Sequence, residues 1–477
     1  MNNITILAVP ALLWTVIRTL QIIYRLYFHP LSKFPGPRSA RISRTWLKQQ
    51  VQTGFPEEVF DKLHRELGNN PTRPNELHIS DVDLYKVMYS QINPFPKHAG
   101  FYDEFNTPHT LATETNPALH KERRKLLNPL FSRAGVTKLE PVILEKIYAM
   151  GAKIKRISKA SPIDMDDAIR QAPSCMAADI ISEFAFGQSF NLIEESPDSF
   201  KTRVLECMNV ATRTVVELYH NDGQRLATHL LPRLWVGVFD PTIKALAELL
   251  GVPTSHSVVF DNLSSLPTDL QTSQAVEILI AGSDTTAFTI SIALLHILRN
   301  EGIKNKLTRA VTDAIKDPKS MPSYTELSQV EYLRAVVKES LRIAMPVPGM
   351  LPRIVPATST PFVVDGQVVP PGTVVGMSAY TMHTSTEIWG PDAEEFNPER
   401  WLDGKAAGME AFLATFSKGS RICIGINIAY AEVTLVLAYL FRSFRMKLKP
   451  TELKYEDMFT LRMVNSSVLV DFEALDG

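Results

Sequence analysis

The sequence predicts a mainly α-helical protein with a small β region. Segments such as PALHKERRKLLNPLF and VEYLRAVVKESLR place apolar residues at helical spacing, and a long apolar helix is expected from about Gln274 to Leu298. Strand-like segments are concentrated late in the chain, namely RIVP, TPFVVDG, QVVPPGTVVGMS and SSVLVDF. Within these, VVDGQVV predicts a hairpin around Asp365 and Gly366.

Composition excludes several protein classes. The 477 residues are 45% hydrophobic and 21% charged, which predicts a large folded core. The net charge of −1 argues against a nucleic-acid-binding protein, which would carry a basic excess. The three cysteines, Cys175, Cys207 and Cys423, are far apart and odd in number. They predict neither a disulfide framework nor a zinc site, and they favour a reducing compartment.

The N-terminus predicts a membrane anchor. Residues 4–24 are apolar apart from Arg18 and a few uncharged polar residues, and their number is close to what a bilayer-spanning helix needs. Basic residues follow between positions 25 and 41, so the positive-inside rule places the rest of the chain in the cytosol. A cleaved signal peptide is the alternative, but a charged start and a small-residue cleavage site are both lacking.

The predicted organisation has three parts. Residues 1–28 form the transmembrane anchor, residues 29–40 form a hinge stiffened by FPGPR, and residues 41–477 form one catalytic domain. Neither an internal repeat nor a change of composition marks a further domain boundary.

The segment FSKGSRICIG, residues 416–425, places Cys423 between two glycines and beside an arginine. Gly419 and Gly425 would let the backbone and a large flat group approach the sulfur closely. A thiolate on haem iron needs that approach, and Arg421 is suited to a haem propionate. The alternative is a buried free cysteine at the start of a helix. The spacing F-x-x-G-x-R-x-C-x-G is restrictive and favours the iron ligand.

The segment AGSDTT, residues 281–286, interrupts the long apolar helix with poor helix formers. This predicts a local opening of the helix, beside which an acid and an alcohol could relay protons to a ligand on a metal. The alternative is a kinked core helix with a solvated aspartate.

A third group consists of Glu339 and Arg342 in KESLR, with Arg400 in PERW. Glutamate and arginine three residues apart often form a surface ion pair by chance. If buried, the three side chains would form a triad that fixes geometry more than it adds stability.

Basic side chains that could hold two carboxylates form a fourth group: His120 and Arg124 in ALHKERRK, and Arg353 in LPRIVP. Each by itself is more simply a solvated or capping charge.

These four features, in this order and over nearly the whole chain, resemble the cytochromes P-450, the haem-thiolate monooxygenases. The resemblance implies the cytochrome P-450 fold, with one large haem-binding domain behind an N-terminal membrane anchor. It implies that Cys423 is the axial thiolate ligand of haem b and that Asp284 and Thr285 are the catalytic acid–alcohol pair that delivers protons. The implied haem contacts are Phe416, Gly419, Arg421, Cys423 and Gly425, together with His120, Arg124 and Arg353. Glu339, Arg342 and Arg400 would form the structural triad.

The family also implies partners. Electrons would come from NADPH through an external FAD- and FMN-containing reductase, with cytochrome b5 as a second candidate donor, and GxGxxG is absent from the chain. The implied location is the endoplasmic reticulum membrane, crossed once, with the catalytic domain in the cytosol. The amino-acid segments of the chain are similar to those of filamentous-fungal members, many of which oxidise terpenoid, polyketide or alkaloid intermediates of secondary metabolism. The substrate stays open, and Phe101, Phe105, Met350 and Leu461 are pocket candidates by position only.

Two segments depart from the family. NNPTR, residues 69–73, stands where relatives have a strand, and its asparagines and proline are not expected in a sheet interior. Region 210–265 is shorter than expected and lacks a long helix that normally helps cover the substrate. This could be an adaptation to a bulky substrate or an altered product.

Two other functions therefore remain open. One is a haem-thiolate isomerase or dehydratase, against which the intact Asp284–Thr285 pair argues. The other is a non-catalytic haem- or lipid-binding protein with a degraded pocket.

Overall fold

The computed structural model describes residues 3–105, 107–158, 171–220, 258–317, 319–402, 404, 406–449, 454–464 and 470–475. The chain forms two compact units. The first consists of Met1–His98 and Gly349–Thr381, and the second of Ala99–Pro348 and Met382–Gly477. Helices account for most of the described residues and the strands are short, so the prediction of a mainly α protein with a small β region is confirmed.

The first unit begins with a helix whose described side chains are exposed from Val9 to its end. Its helices are Asn3–Ile23, Arg38–Ile42, Thr45–Val51, Pro56–Leu67 and Val82–Met88, with a π-helical turn at Tyr24–Phe28 and a 3-10 turn at Pro30–Lys33. A short helix, Ala379–His383, crosses the point in the chain where the first unit ends.

The sheet of the first unit has four strands in the order β1-β2-β6-β3. They are β1 (Asn70–Arg73), β2 (Glu76–His78), β3 (Arg353–Ile354) and β6 (Val374–Gly376). Strands β2 and β6 are parallel, and the two outer pairs are antiparallel.

The predicted hairpin is confirmed. Strands β4 (Phe362–Val364) and β5 (Gln367–Val369) are antiparallel, with Val364 opposite Gln367. The two residues between them, Asp365 and Gly366, both have positive φ, 49° and 72°. That backbone is the one a two-residue hairpin turn requires.

The NNPTR segment forms a strand, which corrects the sequence-based expectation. Asn70 lies opposite His78 and Pro71 opposite Leu77, with an irregularity before Arg73. Because β1 is an outer strand, Pro71 can be accommodated although it has no N–H to donate. Asn69, just before β1, bonds to the β4–β5 turn and to the chain that follows β2. Its amide donates to Asp365 (2.9 Å), and its carbonyl accepts from Ser80 N–H (2.7 Å).

The second unit holds most of the helices. These are Ala99–Tyr102, Pro117–Phe131, Arg133–Ser158, Ala172–Phe186, Leu192–Glu195, Arg203–His220, Val259–Leu263, Thr268–Arg299, Glu301–Ala314, Tyr324–Leu327, Glu331–Ala344, Thr386–Trp389, Ala406–Met409 and Ile426–Ser443. The 3-10 turns are Asp103–Phe105, Pro398–Trp401, Glu410–Phe412 and Gly419–Arg421. Its strands are β7 (Phe444–Leu448) paired with β10 (Val470–Ala474), and β8 (Tyr455–Met458) paired with β9 (Thr460–Met463).

Three helices organise the second unit and are named here by their roles. Thr268–Arg299 is the central helix, Glu331–Ala344 the triad helix, and Ile426–Ser443 the cysteine helix. The central helix packs against both of the others and against Ala172–Phe186. The central helix is long and apolar enough to span a bilayer, but 72% of its apolar window is buried, as expected of a core helix.

The AGSDTT segment does not open the central helix, which corrects the second expectation. The helix is continuous from Thr268 to Arg299. The hydroxyls of Ser283 and Thr285 each donate to the carbonyl four residues earlier, at 2.7 Å, so they are satisfied without breaking the backbone ladder. Gly282 is explained by packing, because a Cβ there would lie 2.6 Å from Ile181 Cγ1.

The shortened region 210–265 falls largely on residues 221–257, which lie outside the described residues.

Candidate functional site

The cysteine segment forms a tight loop in front of the cysteine helix. Cys423 N–H donates to Phe416 O at 2.9 Å and closes the loop. Gly419 has a φ of 71°, a left-handed conformation that glycine adopts at little cost. Gly425 caps the cysteine helix, and its N–H donates to the Cys423 sulfur.

Three features around the sulfur favour a thiolate. The Gly425 N–H bond and the positive charge of Arg124 both lower the pKa of the Cys423 thiol, and the sulfur lies just before a helix N-terminus. Burial acts in the opposite direction and is the larger effect, so the pKa is raised overall. A thiol in this setting needs a further positive partner, such as a metal ion, to be held as the thiolate.

Cys423 faces a recess. Its side chain is solvent-accessible, yet the surrounding protein desolvates the thiol. Together these facts describe a side chain that opens into a hollow inside the unit. The other described free cysteine, Cys175, is fully buried and donates to Phe200 O, as a structural cysteine does.

His120 and Arg124 lie one turn apart on the same face of the helix Pro117–Phe131. Arg124 donates to Ile422 O at 2.6 Å, next to Cys423. His120 is buried, at 5% exposure. The structure thus brings Arg124 to the cysteine loop, with His120 one turn earlier on the same helix.

Arg421 extends toward a different segment. Its guanidinium donates to Glu114 O at 2.8 Å and to Thr115 O at 3.5 Å. The same segment is fastened to the central helix, because Ala112 N–H donates to Glu277. Arg421 therefore links the cysteine loop to the chain that leads into the His120 helix.

Arg353 lies in the first unit, on β3. It is 2% exposed, and its guanidinium lies 5.1 Å from the centre of the Tyr89 ring. Among the described residues, its Nε has no hydrogen-bond partner. A buried cation in this condition fits an anionic group such as a haem propionate.

Asp284 and Thr285 lie midway along the central helix. The Thr285 hydroxyl donates to Ala281 O, and Asp284 accepts a long hydrogen bond (3.4 Å) from Thr460 on β9. Ala281 is exposed although it belongs to a mainly buried helix, so this turn is accessible to solvent on one side.

Glu339, Arg342 and Arg400 are buried together, which excludes a surface ion pair. Glu339 accepts two bonds from Arg342, at 2.7 and 2.9 Å, and one from Arg400 at 3.0 Å. Sequence reasoning missed two further donors, Asn397 N–H and Trp401 Nε1, which complete five bonds to one carboxylate. Trp401 belongs to the PERW motif, but its indole pairing could not be read from that motif.

A second buried acid was also missed. Glu432, on the cysteine helix, is 1% exposed and accepts a hydrogen bond from Thr286, the neighbour of Thr285 on the central helix. Within the described part of the chain, its Oε2 has no hydrogen-bond partner. Burial raises the pKa of Glu432 to about 8. The side chain therefore joins the two helices as a neutral acid at pH 7.

Comparison with known proteins agrees with this geometry. The family model of cytochrome P-450 matches residues 35–233 and 261–470. The chain is 30% identical over 499 residues to the cytochrome P-450 monooxygenase sdnE of Sordaria araneosa, covering 95% of this chain and 94% of the relative. It is 31% identical over 457 residues to the monooxygenase sol6 of Alternaria solani, covering 89% and 96%. It is 29% identical over 486 residues to the monooxygenase macH of Penicillium terrestre, covering 93% of each.

The match extends over most of the chain and includes the cysteine loop, the central helix and the triad. The predicted fold and enzyme class are therefore confirmed. The chain belongs to the cytochrome P-450 family and is a haem-dependent monooxygenase.

Proposed function

We propose that this protein is a membrane-anchored monooxygenase that uses O2 and NADPH-derived electrons to oxidise a hydrophobic small molecule of fungal secondary metabolism. The observation that carries the proposal is the setting of Cys423, a thiol that opens into a recess and receives the Gly425 N–H. A neutral buried cysteine would need neither the recess nor that donor.

The residues present fit haem b. Cys423 would supply the thiolate ligand of the iron, with Phe416, Gly419 and Gly425 shaping the loop around it, and Arg124, His120 and Arg421 would meet the propionates. Bound haem supplies the oxidising chemistry, which thiolate ligation promotes.

The protein's own contribution is to bind, orient and deliver protons. Asp284 is a half-buried acid on the central helix, and the hydroxyl of Thr285, held by Ala281 O, is the next group along the helix. We assign proton delivery to this pair, with Asp284 exchanging protons with solvent and Thr285 passing them inward. The Glu339–Arg342–Arg400 triad holds the frame in which the cysteine loop is fixed.

A hydrophobic substrate is supported by an aromatic cluster in the second unit. The Phe459 ring, at the tip of the β8–β9 hairpin, lies 4.7 Å from Phe105 and 6.1 Å from Phe101. The same hairpin contacts Asp284 through Thr460. An apolar wall next to the proton-delivery pair suits a terpenoid, polyketide or alkaloid skeleton, and the similar proteins come from filamentous fungi.

Location and electron supply complete the proposal. The apolar helix Asn3–Ile23, whose side chains are exposed from Val9 onward, and the basic residues that follow it support a single-pass anchor in the endoplasmic reticulum membrane, with the catalytic part in the cytosol. A membrane-bound NADPH–cytochrome P-450 reductase would then lie in the same membrane, with cytochrome b5 as an additional donor.

The test is the carbon-monoxide difference spectrum of the reduced full-length protein in microsomes. Wild type should show the strongly red-shifted Soret band of a thiolate ligand, and C423A should lose it. C175A is the matched control, because it removes a buried thiol that binds Phe200 O, and it should keep the band. A well-expressed wild type without the band would refute the proposal.

A further inference from the structure

His383 holds two segments of backbone together. The residue is 1% exposed and belongs to none of the family's motifs quoted above. Its Nδ1 lies 2.8 Å from Arg342 O, and its Nε2 lies 2.7 Å from Ala414 N.

The two bonds fix the tautomer of the ring. A backbone N–H can only donate, so Nε2 must accept from Ala414 and carries no proton. A neutral ring then has its proton on Nδ1, which donates to Arg342 O. Burial, together with the Arg342 charge, lowers the pKa of His383 to about 3, so the ring stays in this form at any pH at which the protein would be used.

The two partners belong to functionally distinct elements. Arg342 is the triad arginine, near the end of the triad helix. Ala414 enters the cysteine loop, where Phe416 O accepts from Cys423 N–H. A parallel bond runs from the Thr415 hydroxyl to Leu341 O at 2.8 Å. Adjacent residues of the loop entrance are thus bound to adjacent residues of the triad helix.

We propose that His383 is a positioning residue that docks the cysteine loop onto the triad helix and so determines how the Cys423 sulfur is presented. The proposal rests on the proposed role of Cys423 as the axial ligand. Without the ring, the two hydrogen bonds described between the loop entrance and the triad helix are reduced to the one from Thr415. The loop can then move, and the sulfur loses the fixed arrangement with Gly425 and Arg124 that favours its thiolate form.

Two substitutions of similar shape each keep one hydrogen bond of His383 and remove the other. In H383Q the amide oxygen reaches the Nε2 position and can still accept from Ala414 N–H. In H383N the amide nitrogen reaches the Nδ1 position and can still donate to Arg342 O, but nothing accepts from Ala414. The control is H296L, which removes another desolvated imidazole, one that stacks on Phe396 at 5.2 Å.

The readout is the ratio of the strongly red-shifted Soret band to the less shifted, neutral-thiol band in the reduced carbon-monoxide complex. The thermal midpoint is measured in parallel. We expect H383Q and H296L to keep a ratio close to that of wild type. We expect the H383N ratio to fall about five-fold, the effect of one lost hydrogen bond, at a thermal midpoint similar to that of H383Q.

The outcomes separate the two proposals. A wild type without the shifted band overturns the proposed function. A wild type with the band, and H383N equal to or better than H383Q, overturns the positioning role of His383. A fall in H296L as large as in H383N would do the same, because it would show that loss of any desolvated imidazole disturbs the ligand.

Discussion

The variant E432Q should be more stable than wild type, by a free-energy difference that grows as the pH rises. Glu432 is fully buried between the cysteine helix and the central helix, and Thr286 is its hydrogen-bond donor. Burial raises the pKa of Glu432 from 4.5 to about 8 in the folded protein. Between these two values the folded state keeps the proton while the unfolded state releases it, so stability is lost as the pH rises.

The size of the effect follows from that pKa difference. The free energy of unfolding of wild type should fall by about 1.4 kcal/mol per pH unit between pH 4.5 and 8, to a total of about 5 kcal/mol, and then level off. The amide of E432Q keeps an acceptor for Thr286 and does not titrate. For a chain of this length, a loss of about 1.4 kcal/mol in the free energy of unfolding lowers the thermal midpoint by about 1.4 °C. The wild-type midpoint should therefore fall relative to that of E432Q by about 1.4 °C per pH unit.

The assay is thermal unfolding of both proteins by circular dichroism from pH 5 to 9. The midpoint of E432Q minus that of wild type should grow by about 4 °C between pH 5 and 8. The substitution E145Q changes an exposed side chain and controls for the exchange of a carboxylate for an amide. Parallel midpoint curves for wild type and E432Q would refute the reasoning.

Two further substitutions test packing and the triad. G282A should lower the free energy of unfolding by about 1–3 kcal/mol, because the new methyl group meets Ile181, and I181V in the same protein should restore part of the loss. Denaturation of the single and double variants checks this, and additive effects would contradict it. E339Q should lower the free energy of unfolding by about 3–5 kcal/mol, because it breaks a buried ion pair and turns an amide N–H toward donors. A loss below about 1 kcal/mol would show that the buried charges gain little from one another.

Features set by local sequence could be predicted well. The helix predicted from PALHKERRKLLNPLF runs from Pro117 to Phe131, since its proline stands at the first turn and Asn116 caps it. The hairpin at Asp365–Gly366 follows from two residues that tolerate positive φ. In both cases the signal lies within the segment that folds.

Features set by a partner distant in sequence could not be predicted. The residues of NNPTR are poor strand formers. They form a strand because they pair with β2 and because the Asn69 amide donates to Asp365. Glu432 and His383 carry no motif, and their roles depend on Thr286, Arg342 and Ala414, which no local pattern connects to them. Only the tertiary structure shows which backbone group each side chain meets.

The AGSDTT segment shows how one composition can satisfy different requirements. Read alone, its small and polar residues indicate a broken helix. In the structure each residue has a separate reason that leaves the helix intact: Gly282 admits Ile181, Ser283 and Thr285 bond within their own helix, and Thr286 meets Glu432. Asp284, together with the Thr285 hydroxyl, forms the pair that we propose delivers protons. The rest of the segment holds the central helix against its neighbours, so that those two side chains are presented from a rigid support.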